Sequence, residues 1–285
     1  MTFKQDIHDI LEDLRKKSVL DSEIKAAYQM KGTTDGRVYT LAVHDEPKYV
    51  LKLDSPQNIC LVEQCVQAYP ESRLLPKLLY IDPAKTFMIY PYLTGTTHDK
   101  RGRKLDWMTL LVKDLLNHYK MDHRTETWGR LALPRDSWLE FNERSLEGAR
   151  ENVGSLLPTE DYDKVQSLIE RISNVETKYL LHGDTGVHNF VFHHFELIGV
   201  IDPSPMAGPV TYDFTYAFCS SPDDLNLDTL FAAFELLRHK PIDQSRLVEE
   251  TIFQLYCRIG ICAKVHPNDL EGYLKAWEYW KTLLP

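Results

Sequence analysis

The chain has 285 residues, 43% hydrophobic and 26% charged, with only 13 Gly and 15 Pro; this excludes collagen-like, low-complexity and wholly disordered chains and allows a sizeable core. Its 33 Lys and Arg against 42 Asp and Glu leave a formal charge of −9, which repels nucleic acid and anionic membrane and suits a neutral or cationic ligand better. Five cysteines (60, 65, 219, 257 and 262) form no metal-spaced pair and point to reduced thiols in the cytoplasm; no signal-peptide core opens the chain, and no stretch approaches the ~20 apolar residues of a membrane span.

From Ile24 to Leu53 the pattern is short and strand-like: Ala26 to Met30, a turn from Gly32 to Gly36, Val38 to Val43, then Tyr49 to Leu53 after Asp45-Glu46-Pro47. Ser55-Pro56 opens a helix, with Ser as N-cap and Pro in the first turn, and Ile59, Val62, Val66 and Tyr69 follow at helical spacing. Two further strands, Leu78 to Ile81 and Thr86 to Tyr90, flank the turn-forming Asp82-Pro83-Ala84-Lys85. The first ninety residues therefore read β-β-β-α-β-β. The polar segment Pro91 to Asp106 is a connection. Beyond it, helical spacing dominates Trp107 to Tyr119, Ser137 to Arg150, Glu160 to Ile172, Leu227 to Leu237 and Arg246 to Lys281, the last breaking near Pro267. One β-rich insertion, Lys178 to Leu181, Asn189 to Phe192 and Leu197 to Ile201, interrupts the helices. The pattern predicts an α+β architecture, with no internal repeat.

That insertion carries the densest set of polar groups: His182-Gly183-Asp184-Thr185-Gly186-Val187-His188-Asn189, then Ile201-Asp202-Pro203. An Asp and an Asn five residues apart on a loop, with another Asp at the end of a nearby strand, can converge three oxygen-bearing side chains on one point. Hard divalent cations favour such donors, and so does phosphoryl transfer, in which one carboxylate orients the incoming hydroxyl while charge is neutralised around the phosphates. A plain turn pair is the blander reading of Asp184 and Asn189, since both residue types favour turns; the His-Gly-Asp context and Asp202 argue against it.

His182-Gly183-Asp184 with Asn189, then Ile201-Asp202, resembles the H-G-D-x-x-x-x-N and I-D motifs of aminoglycoside phosphotransferases and their choline, homoserine and fructosamine kinase relatives. The resemblance implies a two-lobed protein kinase-like fold, with residues 1–90 as the nucleotide-binding lobe, residues 91–285 as the catalytic and acceptor-binding lobe, and MgATP (or MgGTP) in the cleft. It implies Asp184 as catalytic base and Asn189 and Asp202 as Mg²⁺ ligands. Lys52 takes the place of the lysine that grips the α- and β-phosphates, Glu63 that of its partner, and Met88 to Gly95 that of the hinge, where the Pro91 carbonyl and Leu93 amide would read the base. Asp213 resembles the family's structural brace after the metal loop. Two departures stand out: Pro203 replaces a frequent Trp, and Gly183 replaces the Arg of the protein kinase H-R-D.

The reaction implied is transfer of a γ-phosphoryl group to a small-molecule hydroxyl. The same motif serves aminoglycoside, choline, homoserine and deoxy-sugar acceptors, and Glu140, Glu143, Asp223 and Asp224 are candidate carboxylates for a cationic one. Two rival classes are weighed beside it: a two-His-one-carboxylate iron site using His182, Asp184 and a distant His266, which the helical second half disfavours, and a catalytically silent kinase-like binding module. His188, His193 and His194 read as loop and surface residues, and Tyr256, Tyr273, Trp277, Tyr279 and Trp280 as core.

Overall fold

Alternation along one strand decides how the N-terminal part is assembled. In the computed structural model, which describes residues 7–20, 23–30, 37–239, 242–265 and 267–284, helix α1 (Ile7–Lys16) precedes strands β1 (Ala26–Gln29), β2 (Arg37–Val43) and β3 (Glu46–Leu53); helix α2 (Pro56–Ala68) and strands β4 (Tyr80–Ile81) and β5 (Phe87–Pro91) follow. The expected turn from Gly32 to Gly36, and His266, lie outside the described residues. The strands form an antiparallel sheet in the order β1-β2-β3-β5-β4. Because successive side chains on a strand face opposite ways, Tyr49, Leu51 and Leu53 of β3 pack under Ile10 and Leu14 of α1, while Val50 and Lys52 face away from them. Lys52 pairs in register with Met88, which packs on Ile59 and Val62 of α2. Ser55 caps α2 as expected, its hydroxyl accepting from the Asn58 N–H.

Helix α1 is an addition to the sequence expectation, which placed a single helix in this part. Its Ile7, Ile10, Leu11 and Leu14 recur at i, i+3, i+4 and i+7, the spacing of an amphipathic helix, and they cover the sheet face that α2 leaves open.

The connection after β5 is more ordered than expected: β6 (Thr96–Thr97) pairs antiparallel with β9 (Phe190–His193), which also pairs with β10 (Glu196–Val200). A second small sheet joins β7 (Gly129–Arg130), β8 (Tyr179–Leu181) and β11 (Met206–Gly208). Around these lie α3 (Lys104–Asp114), α4 (Trp138–Val153), α5 (Thr159–Ser167), α6 (Ile169–Ser173), α7 (Val210–Phe218), α8 (Leu227–Phe234), α9 (Gln244–Val265) and α10 (Leu270–Trp280). The helix expected over 160–172 is two: at Leu168 the N–H reaches back three residues to Val165, tightening the turn between α5 and α6. Helix α9 runs through the core and crosses α4 so closely that a Cβ at Gly260 would lie 2.8 Å from the Ala149 carbonyl oxygen. Tyr256, Tyr273, Trp277 and Trp280 are buried as expected, but Tyr279 is 42% exposed, on the outward side of α10. No helix among the described residues is long and apolar enough to cross a membrane.

Candidate active site

The loop leaving β8 is locked before its side chains do any chemistry. Asp213, in the first turn of α7, accepts from the Gly183 N–H at 3.1 Å and from the Tyr119 hydroxyl at 2.6 Å, and that hydroxyl in turn accepts from the His182 N–H at 3.1 Å. Burial raises the Asp213 carboxyl to about 6, against the pull of these donors. Asp213 is thus the brace expected of it. Gly183 adopts φ +80°, and a Cβ there would sit 2.0 Å from the Ser204 carbonyl oxygen, so only glycine fits.

With the backbone fixed, Asp184 faces the cleft. Its Oδ2 receives Asn189 Nδ2 at 2.9 Å and His188 Nε2 at 3.3 Å, with the Tyr216 hydroxyl nearby. Burial favours the neutral acid, but the His188 hydrogen bond, with the charge of Arg130, outweighs it and holds the group far below the usual carboxylate range. His182 is fully buried; burial lowers it to about 4, so it is neutral at neutral pH, and its Nδ1 accepts from the Asp184 N–H at 3.2 Å. His182 is not among the residues that line the cleft, and the distant His266 of the iron-site reading lies outside the described residues.

Asp202 follows β10 and adopts φ +56°, a left-handed backbone that asparagine and aspartate tolerate better than most residues. Two backbone bonds seat its loop on the first one: Ile201 N–H to Asn189 O and Ser204 N–H to His182 O, both 2.9 Å. Lys52 crosses from the sheet to hydrogen-bond Asp202 Oδ1, with Asp54 Oδ2 at 3.7 Å. The expected partner Glu63 is elsewhere: its carboxylate receives Lys85 Nζ at 2.6 Å and Gln67 at 3.3 Å. The turn 82–85 projects Lys85 toward α2, and the aspartates closer to Lys52 take its charge.

Asn189 spends Nδ2 on Asp184, so Oδ1 is the atom it can offer a cation, and Asp202 retains a second carboxylate oxygen. Two hard oxygen donors fit Mg²⁺, which completes its octahedron with phosphate oxygens and water. Among the described residues no group of three or more His, Cys, Asp or Glu is arranged to hold a metal by itself.

These side chains border one cleft of about 610 Å³. Its apolar end is lined by Val38, Val50, Tyr90, Pro91, Leu93 and Ile201. Pro91 closes β5 opposite Tyr49, the Tyr92 N–H is committed to the Lys48 carbonyl at 2.9 Å, and Gly199 makes room for Leu93, whose Cδ1 would lie 2.2 Å from a Cβ at that position. The expected Pro91 and Leu93 therefore border the slot, with the intervening amide occupied.

The far end holds residues that the sequence did not single out. Arg130 on β7 hydrogen-bonds Ser204 Oγ beside Asp184, and Arg258 on α9 stacks on Tyr216, 4.8 Å from the ring centre. His188, taken as a surface residue, touches Asp184 directly. Of the four carboxylates considered for a cationic acceptor, none borders the cleft: Glu140 lies near Arg135, Asp223 pairs with Arg101, Asp224 accepts from the Lys104 N–H, and Glu143 is exposed.

A small antiparallel sheet and a helical part enclosing such a cleft define the protein kinase-like fold. The same fold is found in choline kinase from Cryptosporidium parvum (TM-score 0.61, 12% identity, 98% of this chain and 95% of that one). It is found also in aminoglycoside phosphotransferase APH(4)-Ia in ternary complex with ADP and hygromycin B (0.59, 14%, 98% of both chains) and in a gentamicin complex of APH(2″)-IIa (0.56, 18%, 99% and 97%). At these identities the likeness is one of fold. No protein-family model and no curated protein sequence matches the chain.

Proposed function

We propose that the chain is a small-molecule kinase that transfers the γ-phosphoryl group of MgATP (or MgGTP) to a hydroxyl of a small acceptor in the cytoplasm, with residues 1–90 as nucleotide lobe and residues 91–285 as catalytic lobe. One observation carries the reading: Lys52, Asp184, Asn189 and Asp202, drawn from three separate segments, border one cleft whose other end is an apolar slot. The base would lie in that slot against Val38, Val50 and Ile201, read by backbone groups at Pro91 and Leu93. Lys52 would steady the α- and β-phosphates. Mg²⁺, held through Asn189 Oδ1 and Asp202, would neutralise charge on the phosphates. Asp184 orients the acceptor hydroxyl: Oδ2 is taken by His188 and Asn189, which leaves Oδ1 as the less engaged oxygen. As the acceptor oxygen bonds to Pγ and the bridging Pγ–O bond breaks, the nucleoside diphosphate departs and the hydroxyl proton passes to Asp184.

Asp184→Asn keeps the shape and removes the proton acceptor. Turnover in a coupled ADP-release assay is expected to fall on the order of 10²–10⁴-fold, with the thermal shift given by MgATP retained. Loss of that shift would reassign Asp184 to nucleotide binding. A wild-type chain with neither shift nor turnover would favour the silent module.

A further inference from the structure

Arg258 is 3% exposed, at the end of the cleft away from the apolar slot. Its Nε and Nη2 are buried and have no hydrogen-bond partner. What surrounds the guanidinium is the Tyr216 ring, the Tyr273 hydroxyl, the Cys219 thiol and, nearby, Asp184. Asp184 is already engaged by His188 and Asn189. A buried cation with unused donors is costly unless an anion completes it. Nε and Nη2 form the two-donor edge of the guanidinium, spaced to grip two oxygens of one oxyanion.

The charge along the cleft agrees. Its carboxylates among the described residues are Asp54, Asp184 and Asp202; Asp54 and Asp202 lie against Lys52. Beyond them, the carboxylates near Arg130 and Arg258 are Asp184 in the cleft and Asp269 across a small void behind Arg258, which pairs with His98 at 3.5 Å. A polycationic acceptor would meet two guanidinium groups there and no uncommitted acid.

We infer that the acceptor carries an oxyanion, a carboxylate or a phosphate, which Arg258 binds while the acceptor hydroxyl lies at Asp184. This rests on the phosphotransferase reading and narrows its substrate class. The step is unchanged by it: the anion is a handle, and it neither gains nor loses a bond.

The test is ADP release by the full chain with MgATP on two matched frames: glycerate, glycerol 3-phosphate, glycerol and 3-amino-1,2-propanediol; and gluconate, glucose 6-phosphate, glucose and glucosamine. In at least one frame an anionic member should exceed its neutral and cationic counterparts in kcat/KM by about tenfold or more. The carboxylate and phosphate arms show which oxyanion fits. Arg258→Gln should raise KM for that acceptor by about tenfold or more, with a smaller change in kcat. Arg258→Lys, which keeps the charge and loses the fork, should fall between, and both should retain the MgATP thermal shift. A preference for neutral or cationic members, or no preference in either frame including silence throughout, overturns the inference, as does an unchanged KM in both variants. If the MgATP thermal shift persists in such a result, the inference alone fails; if the shift is missing too, the phosphotransferase reading fails with it.

Discussion

The loop carrying Asp184 and the loop carrying Asp202 meet at one cleft but are held in opposite ways. From His182 to Asn189, polar groups find partners inside the helical part: Tyr119, Asp213 and Ser220 fix the backbone, and Asn189 and His188 fix the carboxylate. The second loop takes two backbone bonds from the first and is tied on its other side to the segment around β7, through Leu131 N–H to Pro205 O and Arg130 to Ser204 Oγ, while its carboxylate is half exposed and bridged to the sheet through Lys52. A rigidly held carboxylate thus sits beside another whose position depends on what lies between it and the lysine. Such a division suits a reaction in which one group must stay aimed while the other adapts to a metal-bound tail.

Several substitutions would break or sharpen that contrast. Gly183→Ala strikes both loops at once, because its Cβ collides with the Ser204 carbonyl and its backbone is left-handed; chemical denaturation should show a loss of roughly 2–4 kcal/mol. Asp202→Asn should leave global stability nearly intact yet weaken MgATP by about tenfold or more, read by titration calorimetry with and without Mg²⁺. Unchanged metal-dependent affinity would contradict the assigned ligand.

The first loop also predicts a pH response. His182 has a folded pKa depressed to about 4 from 6.5, so its contribution is present above 6.5 and is lost as pH falls toward 4. Asp213 is raised to about 6 from 3.8, so its contribution is present below 3.8 and is lost as pH rises toward 6. The two slopes oppose each other between about 4 and 6. Asp213→Asn removes one of them, and unfolding free energy should then drop between pH 7 and pH 5 by about 1 kcal/mol more than in wild type. An equal or smaller drop would show that Asp213 does not titrate in this window. The smallest effect is expected for Glu63→Gln: a partly exposed pair with Lys85 is worth under about 1 kcal/mol, and turnover should stay within about threefold. A collapse of activity would restore Glu63 as the partner of Lys52.

Local chemistry made much of this readable from sequence. Ser55-Pro56 announces a helix by capping, the alternation from Tyr49 to Leu53 assigns Lys52 a face, and the spacing of Asp184, Asn189 and Asp202 marks residues that meet at one cleft. Helix α1 has its signal, Ile7, Ile10, Leu11 and Leu14, but the charged residues between them mask it. Strands β7 and β11 have two and three residues, too few for any period to show. Arg258 sits in a long helix where arginine is ordinary; nothing local says that the fold will bury it without a partner beside Asp184. His188 offered one hint, its place four residues after Asp184 across a tight helical turn. Glu63 failed because a helix tells which residues share a side, not which lysine comes to meet them.

The pairing of β6 with β9 carries a mechanical consequence. Strand β5 belongs to the N-terminal sheet and β6 to the sheet beside the Asp184 loop, so residues 92–95 are the backbone that joins them. Gly95 is pressed against the Phe192 carbonyl, where a Cβ would come within 2.5 Å, and Tyr92 is tied to Lys48. Tyr69, Ser72 and Leu74 likewise tie the end of α2 and the segment after it to the helical part, so rocking of the sheet over the helices would draw on torsions at Leu93 and Thr94 and between Leu75 and Tyr80. The slot that would hold the base lies beside this connection at Pro91, and the span that Lys52 bridges lies three residues farther along β3, where the same rotation would open a wider gap.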